Sequence, residues 1–75
     1  EKVTLYPNPA FNEINISLGS LQAEQIRFYN TNRQLVREIN QPLQMKIDIS
    51  NFPKGGYITE IKLKDTLIQK IWLKM

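Results

Sequence analysis

Residues 57–74 read YITEIKLKDTLIQKIWLK, and this stretch predicts the class of fold. Apolar and polar side chains alternate over residues 57–63 and again over residues 68–74. Such alternation is typical of a β-strand that buries one face, because successive side chains point to opposite sides. The two runs and the short connection between them therefore predict a long β-hairpin.

The predicted register of this hairpin assumes a three-residue connection at residues 65–67. With that connection Ile61 lies opposite Ile71, and Thr59 lies opposite Leu73. These four side chains then form the face that packs on the core.

The opposite face of the predicted hairpin contains Trp72, which pairs there with Glu60, while Lys62 pairs with Lys70. Two interpretations of Trp72 remain open. It forms a small exposed interaction patch with the neighbouring apolar residues Ile58 and Ile68, or a loop or the stems of the lysines cover it.

Other parts of the chain alternate in the same way. The further predicted strands are residues 3–5, 14–18, 25–29, 35–39 and 46–49. Asparagine, proline or glycine separates most of them, as turns require. Short strands that begin about ten residues apart predict an all-β fold, a small seven-stranded antiparallel immunoglobulin-like β-sandwich. We expect residues 1–75 to be one domain at the end of a longer protein.

The composition argues against catalysis. The chain has no cysteine and no histidine, so Ser-His-Asp and Cys-His catalysis and zinc–thiolate sites are excluded within it. The acidic residues are scattered singly over different strands, and no spacing pairs two carboxylates for acid–base work. We expect no enzyme, no catalytic residue, no cofactor and no metal site. The sequence also has no apolar run long enough for a membrane span.

The positive charge is concentrated in the last part of the chain. Residues 1–45 carry four basic and four acidic side chains, whereas residues 46–75 carry six lysines and three acids, which accounts for the net charge of +3. This region is a solvated sheet face or a docking surface for an acidic partner, anionic lipid or nucleic acid. Nucleic acid is not an expected partner, because +3 is a modest charge and a sheet core needs its aromatic residues.

Four stretches follow one another in an order that is typical of one family. They are LYPNPAFNEINISL at 5–18, IRFYNTNRQLV at 26–36, IDISNFPKGGYITEI at 47–61 and QKIWLKM at 69–75. Together they closely resemble the C-terminal sorting domain of the type IX secretion system of Bacteroidetes. The resemblance covers essentially the whole chain.

The resemblance identifies candidate motif residues. Those that match the YPNP opening are Tyr6, Pro7, Asn8 and Pro9. Those that match the L-P-x-G-x-Y corner are Phe52, Pro53, Gly55 and Tyr57, with Phe52 in place of leucine. Those that match the last strand are Lys70, Ile71 and Lys74. At the hairpin position where the family usually has glycine the chain has Arg33, and we expect Asn32 to adopt the positive φ. The last residue is Met75, where the family often has lysine or arginine.

The resemblance implies that the domain is a secretion signal and not an enzyme. Cargo joined to its N-terminal side is expected in the periplasm in transit, then at the cell surface or outside the cell. The implied partners are outer-membrane translocon components, a cell-surface sortase that commonly cuts ahead of the domain, and the fused cargo.

Recognition of a folded signal favours rigid corners. Pro7 and Pro9 fix two φ angles, and this rigidity serves either a receptor or simple turn formation. We expect the receptor to contact the last hairpin at Lys70, Ile71, Trp72 and Lys74. The alternative functions are a small adhesion or carbohydrate-binding module, which would need several coplanar exposed rings, and a structural spacer.

Overall fold

The computed structural model describes residues 3–42 and 45–75. These residues form β-strands and no helix, and hence no helix that could span a membrane. The strands are β1 (Thr4–Tyr6), β2 (Glu13–Ser17), β3 (Gln25–Asn30), β4 (Leu35–Asn40), β5 (Lys46–Asp48), β6 (Gly55–Lys62) and β7 (Leu67–Lys74). All seven predicted strands are present, with boundaries within two residues of those expected.

The strands form two antiparallel sheets. One has the order β1-β2-β5, and the other has the order β4-β3-β6-β7. In an immunoglobulin-like sandwich the second and fifth strands likewise share one sheet, while the third, sixth and seventh share the other. The predicted all-β sandwich is therefore confirmed.

The core lies between the two sheets and follows the alternation in the sequence. In β2 the side chains of Ile14 and Ile16 are buried, and in β3 those of Ile26 and Phe28 are buried. Each buried residue alternates with one that is at least partly exposed, such as Arg27 between Ile26 and Phe28. Apolar burial of this kind is the main favourable term in folding.

The β6–β7 hairpin does not have the predicted register. A hydrogen bond of 2.8 Å from the Leu63 N–H to the Thr66 carbonyl closes a tighter turn around residues 64–65. Ile61 consequently pairs with Ile68, three residues closer to the turn than predicted. Because three is an odd number, every side chain of β7 lies on the face opposite to the predicted one.

This register reverses the exposure predicted for β7. Trp72 pairs with Tyr57 and is only 2% exposed, so it lies in the core and neither in an exposed patch nor under lysine stems. Ile71 is 77% exposed and Leu73 is 43% exposed, although both were predicted on the core face. In β6 the prediction was correct, since Thr59 is fully buried.

The turn between β3 and β4 also differs from the prediction. Arg33 itself has a positive φ of 63°, whereas Asn32 was expected to adopt it. The side-chain carbonyl of Asn30 accepts hydrogen bonds from the N–H groups of Asn32 (2.9 Å) and Gln34 (3.0 Å). Because these two amides are held toward the same oxygen, the chain reverses at the residue between them.

Candidate functional site

The YPNP segment forms an exposed corner between β1 and β2. Tyr6, Pro7, Asn8 and Pro9 are all exposed, and the Tyr6–Pro7 and Asn8–Pro9 peptide bonds are both cis. Exposure of four consecutive residues makes the corner accessible to a partner. The side chain of Asn8 also contacts a residue that is distant in the sequence, Leu73.

Asn8 and Ala10 attach this corner to the last strand. The Leu73 N–H donates to the Asn8 side-chain carbonyl at 3.1 Å, and the Ala10 N–H donates to the Leu73 carbonyl at 2.8 Å. The Met75 N–H then donates to the Ala10 carbonyl at 2.8 Å, so that Ala10 and Lys74 form a parallel bridge. The first and last motifs of the family resemblance therefore meet at one place.

The four residues predicted to contact a receptor differ in exposure. Ile71 is largely exposed, at 77%, and Lys70 is half-buried on the face of its partner Thr59. Trp72 and Lys74 are buried, and the Lys74 ammonium donates to the Met75 carbonyl at 3.2 Å. In this conformation only Ile71 and part of Lys70 offer surface to a partner.

The second corner, at the start of β6, is held by one hydrogen bond. The Tyr57 hydroxyl donates to the Pro53 carbonyl at 2.5 Å. A tyrosine near the start of the sixth strand that bonds back to the backbone a few residues upstream is a recurrent device of immunoglobulin-like sandwiches. Burial raises the pKa of the Tyr57 hydroxyl, since desolvation disfavours the phenolate. The spacing between proline and tyrosine in the motif thus corresponds to a direct contact.

Gly55 is required in this corner by the backbone. Its φ is 143°, a conformation that side chains other than glycine rarely adopt. A β-carbon added there would meet no atom within 4 Å, so space is not the restriction. Phe52 is buried and Pro53 is exposed. The corner therefore has a buried aromatic anchor and an exposed tip.

An aromatic cluster connects the second corner to β7. The rings of Tyr57 and Trp72 stack with centroids 5.0 Å apart, and Phe52 lies 5.3 Å from Tyr57. Phe28 approaches Phe52 edge-on at 5.6 Å. The Trp72 indole N–H donates to the Thr59 hydroxyl at 2.7 Å, so its one polar atom is satisfied inside the core. This cluster fixes the position of β7 from the inside.

The outer face of the four-stranded sheet carries a feature that sequence reasoning missed. Leu35, Tyr29, Ile58 and Ile71 are successive cross-strand partners, one from each strand, and form an apolar row. Leu35 and Ile71, at the two ends, are 52% and 77% exposed. Alternation within each strand could suggest the members, but only the register places them in one row.

The charged groups that the structure describes show no arrangement for metal binding. Within residues 3–42 and 45–75 no three acidic, histidine or cysteine side chains lie close enough to hold a metal ion. Asp48 instead caps a turn: its carboxylate accepts from the Ser50 N–H at 2.9 Å, which lowers the pKa of Asp48. The absence of catalytic and cofactor residues stays a prediction.

Comparison with known proteins supports the interpretation of the motifs. Residues 4–74 match the family model described as a secretion system C-terminal sorting domain. No curated protein matches the sequence. Since the match covers both corners and all of β7, the chain belongs to the family of type IX secretion C-terminal sorting domains.

Proposed function

We propose that this domain carries a cargo protein, joined to its N-terminal side, through the outer-membrane translocon of the type IX system. The cargo passes through the periplasm and reaches the cell surface or the medium, where a sortase cuts ahead of the domain. The domain itself is a substrate of that machinery and carries out no catalysis.

One observation carries this proposal. The hydrogen bond from the Leu73 N–H to the Asn8 side chain joins the first motif of the family to its last strand. Exposed apolar residues lie on both joined segments, among them Tyr6, Phe11 and Leu73. A surface formed jointly by the YPNP corner and β7 exists only when the domain is folded. A receptor that binds this surface therefore distinguishes the folded from the unfolded domain.

Within this surface we assign the direct receptor contact to Ile71. Lys70 adds a half-exposed charge, whereas Trp72 and Lys74 act by holding the strand in place, since both are buried. The motif residues Tyr6 to Pro9 supply the neighbouring exposed corner. Phe52, Pro53, Gly55 and Tyr57 keep β6 and β7 in position, as their contacts indicate.

The alternative function as an adhesion or carbohydrate-binding module has no comparable support. It requires several exposed coplanar rings, and the aromatic pairs among the described residues lie in the buried cluster of Phe28, Phe52, Tyr57 and Trp72. We therefore do not propose it.

The test is an export assay with these 75 residues fused to the C-terminus of a periplasmic reporter. The reporter is expected on the surface or in the medium of a strain with an intact type IX system and in the periplasm of a translocon-deficient strain. A size difference between periplasmic and external reporter, lost in a sortase-deficient strain, reports removal of the domain. Reporter in the periplasm of both the intact and the translocon-deficient strains would contradict the sorting function.

Two variants separate recognition from folding. Ile71→Asn removes the most exposed apolar side chain of β7, and we expect it to reduce export. Leu35→Asn makes the same kind of change on the same face at the opposite edge of the sheet and should leave export unchanged. Equal export of both variants would contradict the assignment of Ile71.

A further inference from the structure

We infer that the open edge of β7, near Gln69 and Ile71, binds an extended partner strand in which apolar and acidic residues alternate. Addition of a strand to a sheet edge is a common mode of peptide recognition, in which main-chain hydrogen bonds supply affinity. The claim that the secretion machinery binds this edge rests on the proposed sorting function. The claim that the edge binds a strand of this kind does not.

The backbone of β7 offers hydrogen-bonding groups along this edge. Both the N–H and the C=O of Leu73 point away from β6, since they bond to Asn8 and Ala10. The two hydrogen-bonding directions alternate along an antiparallel strand. The pairing of β6 with β7 is uninterrupted, so the N–H and C=O groups of Gln69 and Ile71 point the same way as those of Leu73.

The corner segment makes backbone hydrogen bonds to only one end of this edge, although β1 also approaches β7. Its backbone pairing reaches Leu73 and Met75 through Ala10. Among the residues that the structure describes, no strand lies beyond β7 in its sheet. A long, regular and apolar edge of this kind readily pairs with another strand, and Leu67 and Ile71 make it apolar, at 55% and 77% exposure.

The other edge of the same sheet is protected in ways that β7 is not. The pairing of β3 with β4 is interrupted by an irregularity between Phe28 and Tyr29. The Arg37 guanidinium of β4 donates to the Asp48 carbonyl of β5 at 3.0 Å, and so ties this edge to the other sheet. A bulge is a known device for blocking edge pairing, and no irregularity of this kind interrupts the pairing of β6 with β7. The contrast singles out β7.

The side chains of β7 indicate the chemistry of the partner strand. Leu67 and Ile71 flank the edge on the outer face, where apolar partner residues would bury them. Lys70 is half-buried on the other face, where an acidic residue would neutralise it. A second copy of β7 fits poorly, because antiparallel pairing centred on Lys70 places two lysines opposite each other, which is unfavourable.

The binding test uses a capped synthetic peptide of alternating valine and glutamate, about eight residues long to match β7 in length. In the isotope-labelled domain, titration should shift the amide resonances of Gln69 and Ile71 and leave those of β4 unchanged. A peptide of alternating valine and lysine should bind clearly more weakly. Shifts confined to other strands, or equal binding of both peptides, would overturn the inference.

A matched pair of variants tests the backbone contact. Gln69→Pro removes the outward N–H without removing a bond to β6, and should weaken binding about tenfold, as expected for one lost hydrogen bond. Gln69→Ala loses the same side-chain bond to Glu60 but keeps the N–H, and should bind like the wild type. Lys70→Glu should reverse the preference in favour of the lysine peptide, which keeps the inference testable if the proline variant unfolds.

The export assay separates this inference from the proposed function. If the wild-type domain is exported but binds no peptide, the edge site is wrong and the sorting function stands. If it binds the peptide but is not exported, the sorting function fails while the edge site stands. Normal export of Gln69→Pro, once its loss of peptide binding is measured, would contradict the use of this edge during sorting.

Discussion

The side chain of Asn8 accepts a hydrogen bond from the Leu73 N–H across 65 positions of the sequence. A residue of the first turn thereby holds the last strand, and the adjacent Ala10 continues the contact through the backbone. The asparagine of the YPNP motif is thus explained by a contact with the other end of the domain.

Replacement of Asn8 by alanine should lower the free energy of unfolding by about 1 kcal/mol or less, since the lost hydrogen bond is exposed. The Leu73 amide should then exchange faster with deuterium, as measured by NMR. Asn8→Asp keeps an acceptor at this position and should preserve the slow exchange. Unchanged exchange in the alanine variant would contradict the role of Asn8 as a link to β7.

The buried position of Trp72 can be checked through its hydrogen bond to Thr59. Thr59→Val leaves the indole N–H without a partner inside the core, which should cost about 1–3 kcal/mol in urea unfolding. Thr59→Ser retains the hydroxyl and should cost less. Because Trp72 is the single tryptophan, blue-shifted fluorescence that resists acrylamide quenching would verify the register, whereas emission typical of water would contradict it.

The stability of the domain should depend on pH through Tyr57. Its hydroxyl has a raised pKa in the folded state, so its stabilising contribution is present below pH 10.0, the ordinary tyrosine value, and is lost as the pH rises through the folded pKa. Tyr57→Phe should therefore show a shallower loss of unfolding free energy in alkali. It should also be less stable at neutral pH by about 1 kcal/mol, through loss of the bond to Pro53.

Acid should weaken the turn that follows β5. The hydrogen bond from Ser50 lowers the pKa of Asp48 below its ordinary value of 3.8, so the stabilisation is present above that pH and is lost as the pH falls through the folded pKa. Asp48→Asn should be less sensitive to acid than the wild type in thermal unfolding. An acid sensitivity of Asp48→Asn equal to that of the wild type would contradict this role of the Asp48 carboxylate.

Gly55 should not tolerate a side chain, because of its backbone conformation. Gly55→Ala forces alanine into a φ near 143° and should cost about 1–3 kcal/mol. Gly19→Ala, at a φ of 63°, is the control and should cost less, about 1 kcal/mol. Equal melting temperatures for the two variants would show that the corner relaxes.

Much of the fold could be predicted because its signals are local. Ile14 and Ile16 alternate with polar residues, and this pattern identifies a strand without knowledge of its neighbours. The family resemblance located both corners, because proline, glycine and tyrosine occur there at motif spacings. The receptor contact could not be located in the same way, since the exposure of Ile71 and Trp72 depends on pairing across the hairpin.

The sequence by itself determined the seven strands, their buried faces in β2, β3 and β6, the two rigid corners and the family. These properties follow from the side-chain period of a strand and from the conformations that proline and glycine permit. Only the tertiary structure decided the face of β7 and the contact between Asn8 and Leu73. The turn between β6 and β7 is one residue shorter than predicted and starts one position earlier, so the pairing shifts by three residues. Because this number is odd, the buried and exposed sides of the entire strand are exchanged.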